Sequence, residues 1–176
     1  MSAERNGSVS AGKNIVMIGA PGSGKSTVGV ALAAALDEPF TDIDALIESS
    51  ENTSIPDIFV TRGEAAFREL EAAHTIDALN RPGVVALGGG AIHNERIRSA
   101  LVGHHVVWLE TSVSTAVSRI GLNSSRPLLL GNVRGTLIKL LAERTPLYRG
   151  AATITVSTDG RQPDEVVGLI RAELAR

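Results

Sequence analysis

A run of glycines that ends in lysine and serine is the part of this chain best suited to chemistry. The segment 19–27 reads Gly-Ala-Pro-Gly-Ser-Gly-Lys-Ser-Thr and follows the apolar run 15–18. Glycines at this spacing let backbone N–H groups turn inward around an anion, and a helix that begins directly afterwards adds its positive end. Lys25 can then reach the β- and γ-phosphates of a nucleotide, while the Ser26 hydroxyl ligates Mg²⁺. The predicted nucleotide-binding residues of this loop are Gly22, Ser23, Gly24, Lys25, Ser26 and Thr27.

Two aspartates, Asp42 and Asp44, follow the second apolar run of the chain. In an open parallel sheet, the residues just beyond the carboxyl ends of the strands line the ligand crevice. One carboxylate could hold a hydrated Mg²⁺, and the other could accept a hydrogen bond from a substrate hydroxyl. The alternative is that one of them only caps the helix that follows. Glu110, at the end of another apolar run, is a rival for the magnesium, and we favour Asp42 because its strand lies close to the candidate substrate site.

Three consecutive glycines, Gly88, Gly89 and Gly90, follow the apolar run 84–87. They leave backbone N–H groups uncovered at the edge of the sheet, so a ligand can lie directly against the main chain. A tight turn would need only one or two glycines. We therefore expect these residues to contact a ligand.

Three arginines are ambiguous when spacing alone is considered. Arg68, on a predicted helix, could pair with Glu64 or Glu71 in a solvated salt bridge of little consequence. Arg144, in the last turns of another predicted helix, and Arg161, before the final helix, are equally compatible with surface positions.

Composition restricts the class of protein. The chain has 176 residues, a formal net charge of −2 and no cysteine, which excludes disulfides and thiolate metal sites. The charge provides no broad basic surface, so we expect no nucleic-acid partner. No apolar run approaches the ~20 residues that span a membrane, so we expect no membrane partner. Residues 1–12 are polar and lack the apolar core of a secretion signal, which predicts a disordered leader and a cytoplasmic protein. The low net charge and the lack of an evident apolar patch predict a monomer.

Short apolar runs alternate with longer helical patterns, which predicts one α/β domain over 13–176 with a parallel sheet and helices on both faces. Strands are expected at 14–18, 39–42, 84–87, 105–110 and 153–157. Helices are expected at 25–36, 43–50, 55–61, 64–79, 95–102, 113–120, 133–148 and 163–175, with caps at Ser54 and Asn94. The segment 121–132, rich in Gly, Asn, Ser and Pro, is expected to be a functional lid, with a plain connector as the alternative.

Taken in order, these segments resemble the shikimate kinases over nearly the whole chain. The matching motifs are 19–27, Asp-Ile-Asp at 42–44, 55–59, Gly63-Glu64, Phe67-Arg68, 88–91, Arg-Pro-Leu-Leu at 126–129 and Arg-Thr-Pro-Leu-Tyr at 144–148. The resemblance implies a three-layer P-loop kinase fold like that of nucleoside monophosphate kinases, with a five-stranded parallel sheet and a mobile lid. It also implies ATP-dependent phosphorylation of the 3-hydroxyl of shikimate, on the route to chorismate and the aromatic amino acids.

The resemblance assigns substrate-binding roles by position. Asp44 would bind the ring hydroxyls of shikimate and orient the attacking one. Arg68 and Arg144 would hold the carboxylate, since guanidinium forks bind a planar carboxylate through paired hydrogen bonds. The remaining substrate contacts would come from the backbone of Gly88, Gly89 and Gly90.

The resemblance assigns the nucleotide side in the same way, with ATP as co-substrate and Mg²⁺ as the metal. Ser26 would bind the magnesium directly, and Asp42 would hold it through water. Arg126 would close with the lid onto the phosphates, while Arg119 and Arg161 would flank the adenine. The expected catalytic residues are Lys25, Asp44 and Arg126.

Two other functions stay open at this point. A related kinase could act on gluconate or an amino-substituted shikimate, because the same residues would suit the latter. A nucleotide-binding module without transfer activity is the second alternative. Guanine-selective switches usually carry an Asn-Lys-x-Asp element, and the chain has none, so ATP is the better nucleotide.

Overall fold

The computed structural model describes residues 12–121 and 132–176. The expected leader, apart from Gly12, lies outside the described residues. Arg126 and the interior of the expected lid lie outside them as well.

Five parallel strands form one sheet within the described residues, as predicted. They are β1 (Ile15–Ile18), β2 (Phe40–Asp42), β3 (Val84–Ala86), β4 (His105–Glu110) and β5 (Ile154–Ser157). Their order across the sheet is β2-β3-β1-β4-β5, and every neighbouring pair is parallel. All carboxyl ends therefore lie at one edge, with the Gly-rich loop after central β1, the aspartates at the end of β2 and the three glycines after β3.

The helices lie close to their predicted positions. They are α1 (Lys25–Leu36), α2 (Ile43–Glu51), α3 (Ile55–Leu79), α4 (Glu95–Leu101), α5 (Val113–Gly121), α6 (Val133–Ala151) and α7 (Pro163–Leu174). Ser54 and Asn94 cap α3 and α4 as predicted, because their side chains accept hydrogen bonds from the N–H groups of Asp57 and Arg96. A short 3-10 helix over Ala91–His93 was not predicted.

The predicted break between the helices over 55–61 and 64–79 is confirmed. Within α3, Gly63 leaves the helical conformation, with φ 83° and ψ 168°, so α3 consists of two helical segments that meet at a kink. Glycine adopts a positive φ without a Cβ clash, so the two segments join without a longer loop. The end of α6 was misplaced, since the helix continues past Tyr148 to Ala151.

Helices cover both faces of the sheet, which gives the predicted three layers. Alternate side chains of a strand point to opposite faces. Val16 of β1 accordingly lies in a buried cluster with Phe67 of α3, whereas Met17 lies in a second cluster with Leu32 of α1 and Ile170 of α7. Among the described residues, no helix combines the length and the apolar character needed to cross a membrane.

Candidate active site

The loop between β1 and α1 has the geometry of an anion site. Gly24 precedes α1 with φ 92°, no side chain caps the helix, and no acid lies in its first turn. Its N-terminal N–H groups and positive dipole end are therefore suited to a negative ligand. The Lys25 ammonium extends over the same loop and donates to the carbonyl oxygens of Gly19 and Ala20, at 2.8 and 3.0 Å.

Asp42 serves two partners at once. Its Oδ1 accepts from the N–H of Ala45 at 3.2 Å and caps α2, while its Oδ2 accepts from the Ser26 hydroxyl at 2.5 Å. The capping alternative and the contact with the phosphate loop are therefore both present. A hydroxyl and a carboxylate are the hard oxygen ligands that Mg²⁺ prefers, so this pair fits the predicted metal.

The position of Glu110 makes it the weaker candidate for the metal. It lies on β4 in register with Ser157 of β5, whereas Asp42 is on β2, on the opposite side of central β1. Glu110 is exposed, and the cleft beside the phosphate loop is lined by Asp42 and Asp44.

This cleft has a volume of about 490 Å³. Lys25 and Ser26 line one part of it, and Asp44, Gly88 and Gly89 line another. A nucleotide phosphate and an acceptor hydroxyl can thus approach each other within one concavity.

Charged side chains converge on the three glycines after β3. A Cβ on Gly88 would lie 2.8 Å from Asp44 Oδ1, and one on Gly90 would lie 2.7 Å from Arg68 Nη2. A Cβ on Gly89 would lie 3.1 Å from Arg144 Nη1. The structure therefore brings together Asp44, Arg68 and Arg144 over one stretch of bare backbone, although their roles stay predictions.

Glu71 belongs to the same cluster and was not predicted as a site residue. Its side chain is only 1% exposed and accepts from Arg68 Nη1 at 2.8 Å, so the alternative of a solvated salt bridge does not hold for this pair. Burial raises the pKa of Glu71 above its usual value; the positive charge and hydrogen bond of Arg68 oppose this, and the nearby Asp44 adds to it.

Helical spacing contained a signal for Glu71. The buried positions in the second half of α3 lie on one side of the helix, with most of them three or four residues apart, which marks the face that packs against the core. A carboxylate on that face needs a partner, since an unpaired buried charge is costly. The buried residues of this stretch are Phe67, Glu71, Ala72, Thr75 and Leu79.

Arg144 and Tyr148 approach the glycines from α6. The Tyr148 hydroxyl donates to the Gly89 carbonyl at 2.7 Å. Burial raises the pKa of Tyr148 to about 12, and the positive charge of Arg144 opposes that rise. Within the described residues, the buried Nε of Arg144 has no hydrogen-bond partner.

Arg119 links the phosphate loop to the segment after β5. Its guanidinium donates to the Gly22 carbonyl at 3.2 Å and to the hydroxyl and carbonyl oxygens of Thr158, each at 3.0 Å. Arg161 donates to the Ser157 carbonyl at 2.9 Å and is exposed. Arg119 lines the cleft, and the contact of both arginines with adenine stays a prediction.

A phosphate loop follows the central strand β1, and the aspartates and the three glycines follow the strands β2 and β3 on one side of it. This arrangement is typical of a P-loop kinase, with a nucleotide site beside a site for the phosphate acceptor. The family profile described as shikimate kinase matches residues 21–175. The chain therefore belongs to the shikimate kinase family, and it is an enzyme that uses ATP, as predicted.

Individual relatives agree with the family profile. A shikimate kinase of Thermobifida fusca is 52% identical over 160 residues, which cover 90% of this chain and 93% of that protein. The structure of shikimate kinase from Acinetobacter baumannii in complex with shikimate is 35% identical, with a TM-score of 0.89 and coverage of 94% of both chains. A gluconokinase structure from Sinorhizobium meliloti is 26% identical with a TM-score of 0.57, covering 94% of this chain and 93% of that one.

Proposed function

We propose that this chain transfers the terminal phosphoryl group of ATP to the 3-hydroxyl of shikimate, a ring carboxylic acid with several hydroxyl groups. The observation that carries the proposal is the convergence of one aspartate and two arginines on the bare backbone of Gly88 to Gly90, beside a phosphate loop. A single concavity can then hold both a hydroxyl and a carboxylate of one small molecule next to a nucleotide phosphate.

The nucleotide half relies on positioning and charge. Lys25 and the N–H groups at the start of α1 would bind the phosphates, which places positive charge around the transferred group. Ser26 would hold Mg²⁺ directly and Asp42 would hold it through water, in line with their mutual contact. When bound, the ion would neutralise the charge on the β- and γ-phosphate oxygens.

In the acceptor half of the site, a negative side chain would bind a hydroxyl of the substrate and two positive side chains would bind its carboxylate. Asp44 would accept a hydrogen bond from the ring hydroxyl and direct its oxygen toward the γ-phosphorus, because a hydroxyl must be oriented before it can attack. Arg68 and Arg144 would bind the carboxylate. Arg68 already pairs with Glu71, whereas Arg144 forms no ion pair with a carboxylate within the described residues, so Arg144 has charge available for a bound acid.

The finer assignments rest on the family pattern. We propose that Arg126 closes with the lid onto the phosphates and that Arg119 and Arg161 flank the adenine. Closure would exclude water, which otherwise competes as the acceptor. We also propose that residues 13–176 act as one domain, that the protein is a monomer and that it works in the cytoplasm.

An acceptor panel tests the proposal. ADP release would be measured by a coupled assay with shikimate, an amino-substituted shikimate, quinate, gluconate and nucleoside monophosphates, with Lys25→Ala as the control for contaminating ATPase. We expect shikimate to give a kcat/KM at least about tenfold above that of gluconate. Equal or faster turnover of gluconate or a nucleoside monophosphate would contradict the proposed substrate.

A further inference from the structure

Tyr148 is a buried polar residue that the proposed mechanism does not use. Only 1% of its surface is exposed, and it lies on α6 one turn after Arg144. Its ring packs on Trp108 of β4 with centroids 5.9 Å apart and an angle of 27° between the planes. Its hydroxyl reaches the site and donates to the Gly89 carbonyl at 2.7 Å.

That hydrogen bond sets the direction of a backbone donor. The Gly89 carbonyl and the Gly90 N–H belong to one peptide group, and in a trans peptide they point in opposite directions. No peptide bond in the described part of the chain is cis. Consecutive glycines have wide conformational freedom, so an anchored carbonyl restricts this segment more than it would restrict other residues.

The backbone N–H groups of Gly89 and Gly90 are available for a ligand. Over residues 12–121 and 132–176, neither Gly89 N–H nor Gly90 N–H donates to a protein acceptor. Buried backbone donors are normally paired, so the N–H groups of Gly89, which lines the cleft, and of the adjacent Gly90 are suited to a bound acceptor. Their orientation depends on the group that holds the intervening carbonyl.

The same hydroxyl lies beside Arg144. The positive charge of Arg144 acts on the hydroxyl and partly offsets the effect of burial on its pKa, which is about 12. The hydroxyl therefore keeps its proton at neutral pH and remains a donor to Gly89. Arg144 Nη1 also lies 3.1 Å from the position that a Cβ on Gly89 would occupy.

We propose that Tyr148 is a positioning residue for the acceptor half of the site. By holding the Gly89–Gly90 peptide against α6, its hydroxyl fixes the distance between the backbone donors and Arg144, so that both can bind the same small acid. The inference rests on the proposed function, because it assigns those groups to the acceptor and not to ATP.

Two substitutions separate positioning from packing. Tyr148→Phe removes the hydroxyl and keeps the ring on Trp108, whereas Trp108→Phe reduces the packing and keeps the hydroxyl. For Tyr148→Phe we expect the KM for shikimate to rise about fivefold, the effect of one hydrogen bond, with the KM for ATP unchanged. For Trp108→Phe we expect a lower Tm with neither KM changed.

The KM values do not depend on the concentration of active enzyme, so a smaller folded fraction of Tyr148→Phe would not obscure the result. An unchanged KM for shikimate, or equal increases for shikimate and ATP, would overturn the role of Tyr148. Failure of the wild-type enzyme to use shikimate would instead contradict the proposed function, and the two failures are therefore distinguishable.

Discussion

Arg68 Nη1 donates to the carboxylate of Glu71 over 2.8 Å, and the acid is buried while the arginine keeps 29% of its side chain exposed. One side of the guanidinium is thus held by the protein interior, and its Nη2 lies 2.7 Å from the position that a Cβ on Gly90 would occupy. The exposed Glu64 adds a longer contact of 3.5 Å. A fixed guanidinium loses less conformational entropy on binding a ligand than a free surface arginine would.

Glu71→Gln tests the electrostatic state of this buried acid. Its pKa is raised from the usual value of 4.5, so the folded state binds the proton more tightly than the unfolded state does. The contribution of Glu71 to stability is therefore full below that value and is lost as the pH rises through the folded-state pKa. We expect the wild type to lose stability relative to Glu71→Gln as the pH rises above about 4.5, measured by denaturant unfolding. A difference that does not vary with pH would contradict this.

Gly88→Ala tests the close approach of the site to bare backbone. The new Cβ would lie 2.8 Å from Asp44 Oδ1 and 2.9 Å from Glu71 Oε1, so both carboxylates must move. We expect kcat/KM for shikimate to fall about tenfold or more, since displacing a positioned group by a fraction of an ångström is costly. Gly168→Ala on α7 is the matched control, because nothing lies within 4 Å of its Cβ. Full activity in Gly88→Ala would show that the position of Asp44 is not critical.

Asp44→Asn tests the orienting carboxylate. The amide keeps the shape of the side chain and loses the negative charge, so we expect kcat to fall by about 10²–10⁴-fold while ATP binding is retained. ATP affinity would be measured by calorimetry and turnover by ADP release. Asp77→Asn is the control, because Asp77 forms an exposed pair with Arg81. Near-normal turnover in Asp44→Asn would remove this residue from the mechanism.

Arg68→Ala tests the carboxylate site. Loss of a charged hydrogen-bond donor should raise the KM for shikimate by about tenfold or more and leave the KM for ATP nearly unchanged. Arg96→Ala is the control, since Arg96 pairs with Glu69 at 2.9 Å on the exposed side of α3. Equal weakening of both substrates would indicate a folding defect in place of a lost substrate contact.

Local patterns predicted much of the fold and of the nucleotide half. The cap at Ser54 and the loop before Lys25 depend on residues within a few positions of each other, so short-range spacing was enough to identify them. The break predicted around Gly63 was also confirmed, because a glycine weakens a helix locally and this one takes a positive φ that ends the helical conformation. The strand order was not predicted at all, since it depends on pairing between distant segments.

The amino-acid order by itself determined a phosphate-binding loop, a parallel α/β arrangement and a set of charged residues that match one kinase family. Only the tertiary structure decided which face of α3 is buried, and hence that Glu71 holds Arg68 beside Gly88 and Gly90. It also decided that the Tyr148 hydroxyl meets Gly89. Dihedral preferences act between neighbours in sequence, whereas burial and contact across the cleft arise when separate elements pack together, and no spacing along the chain encodes those distances directly.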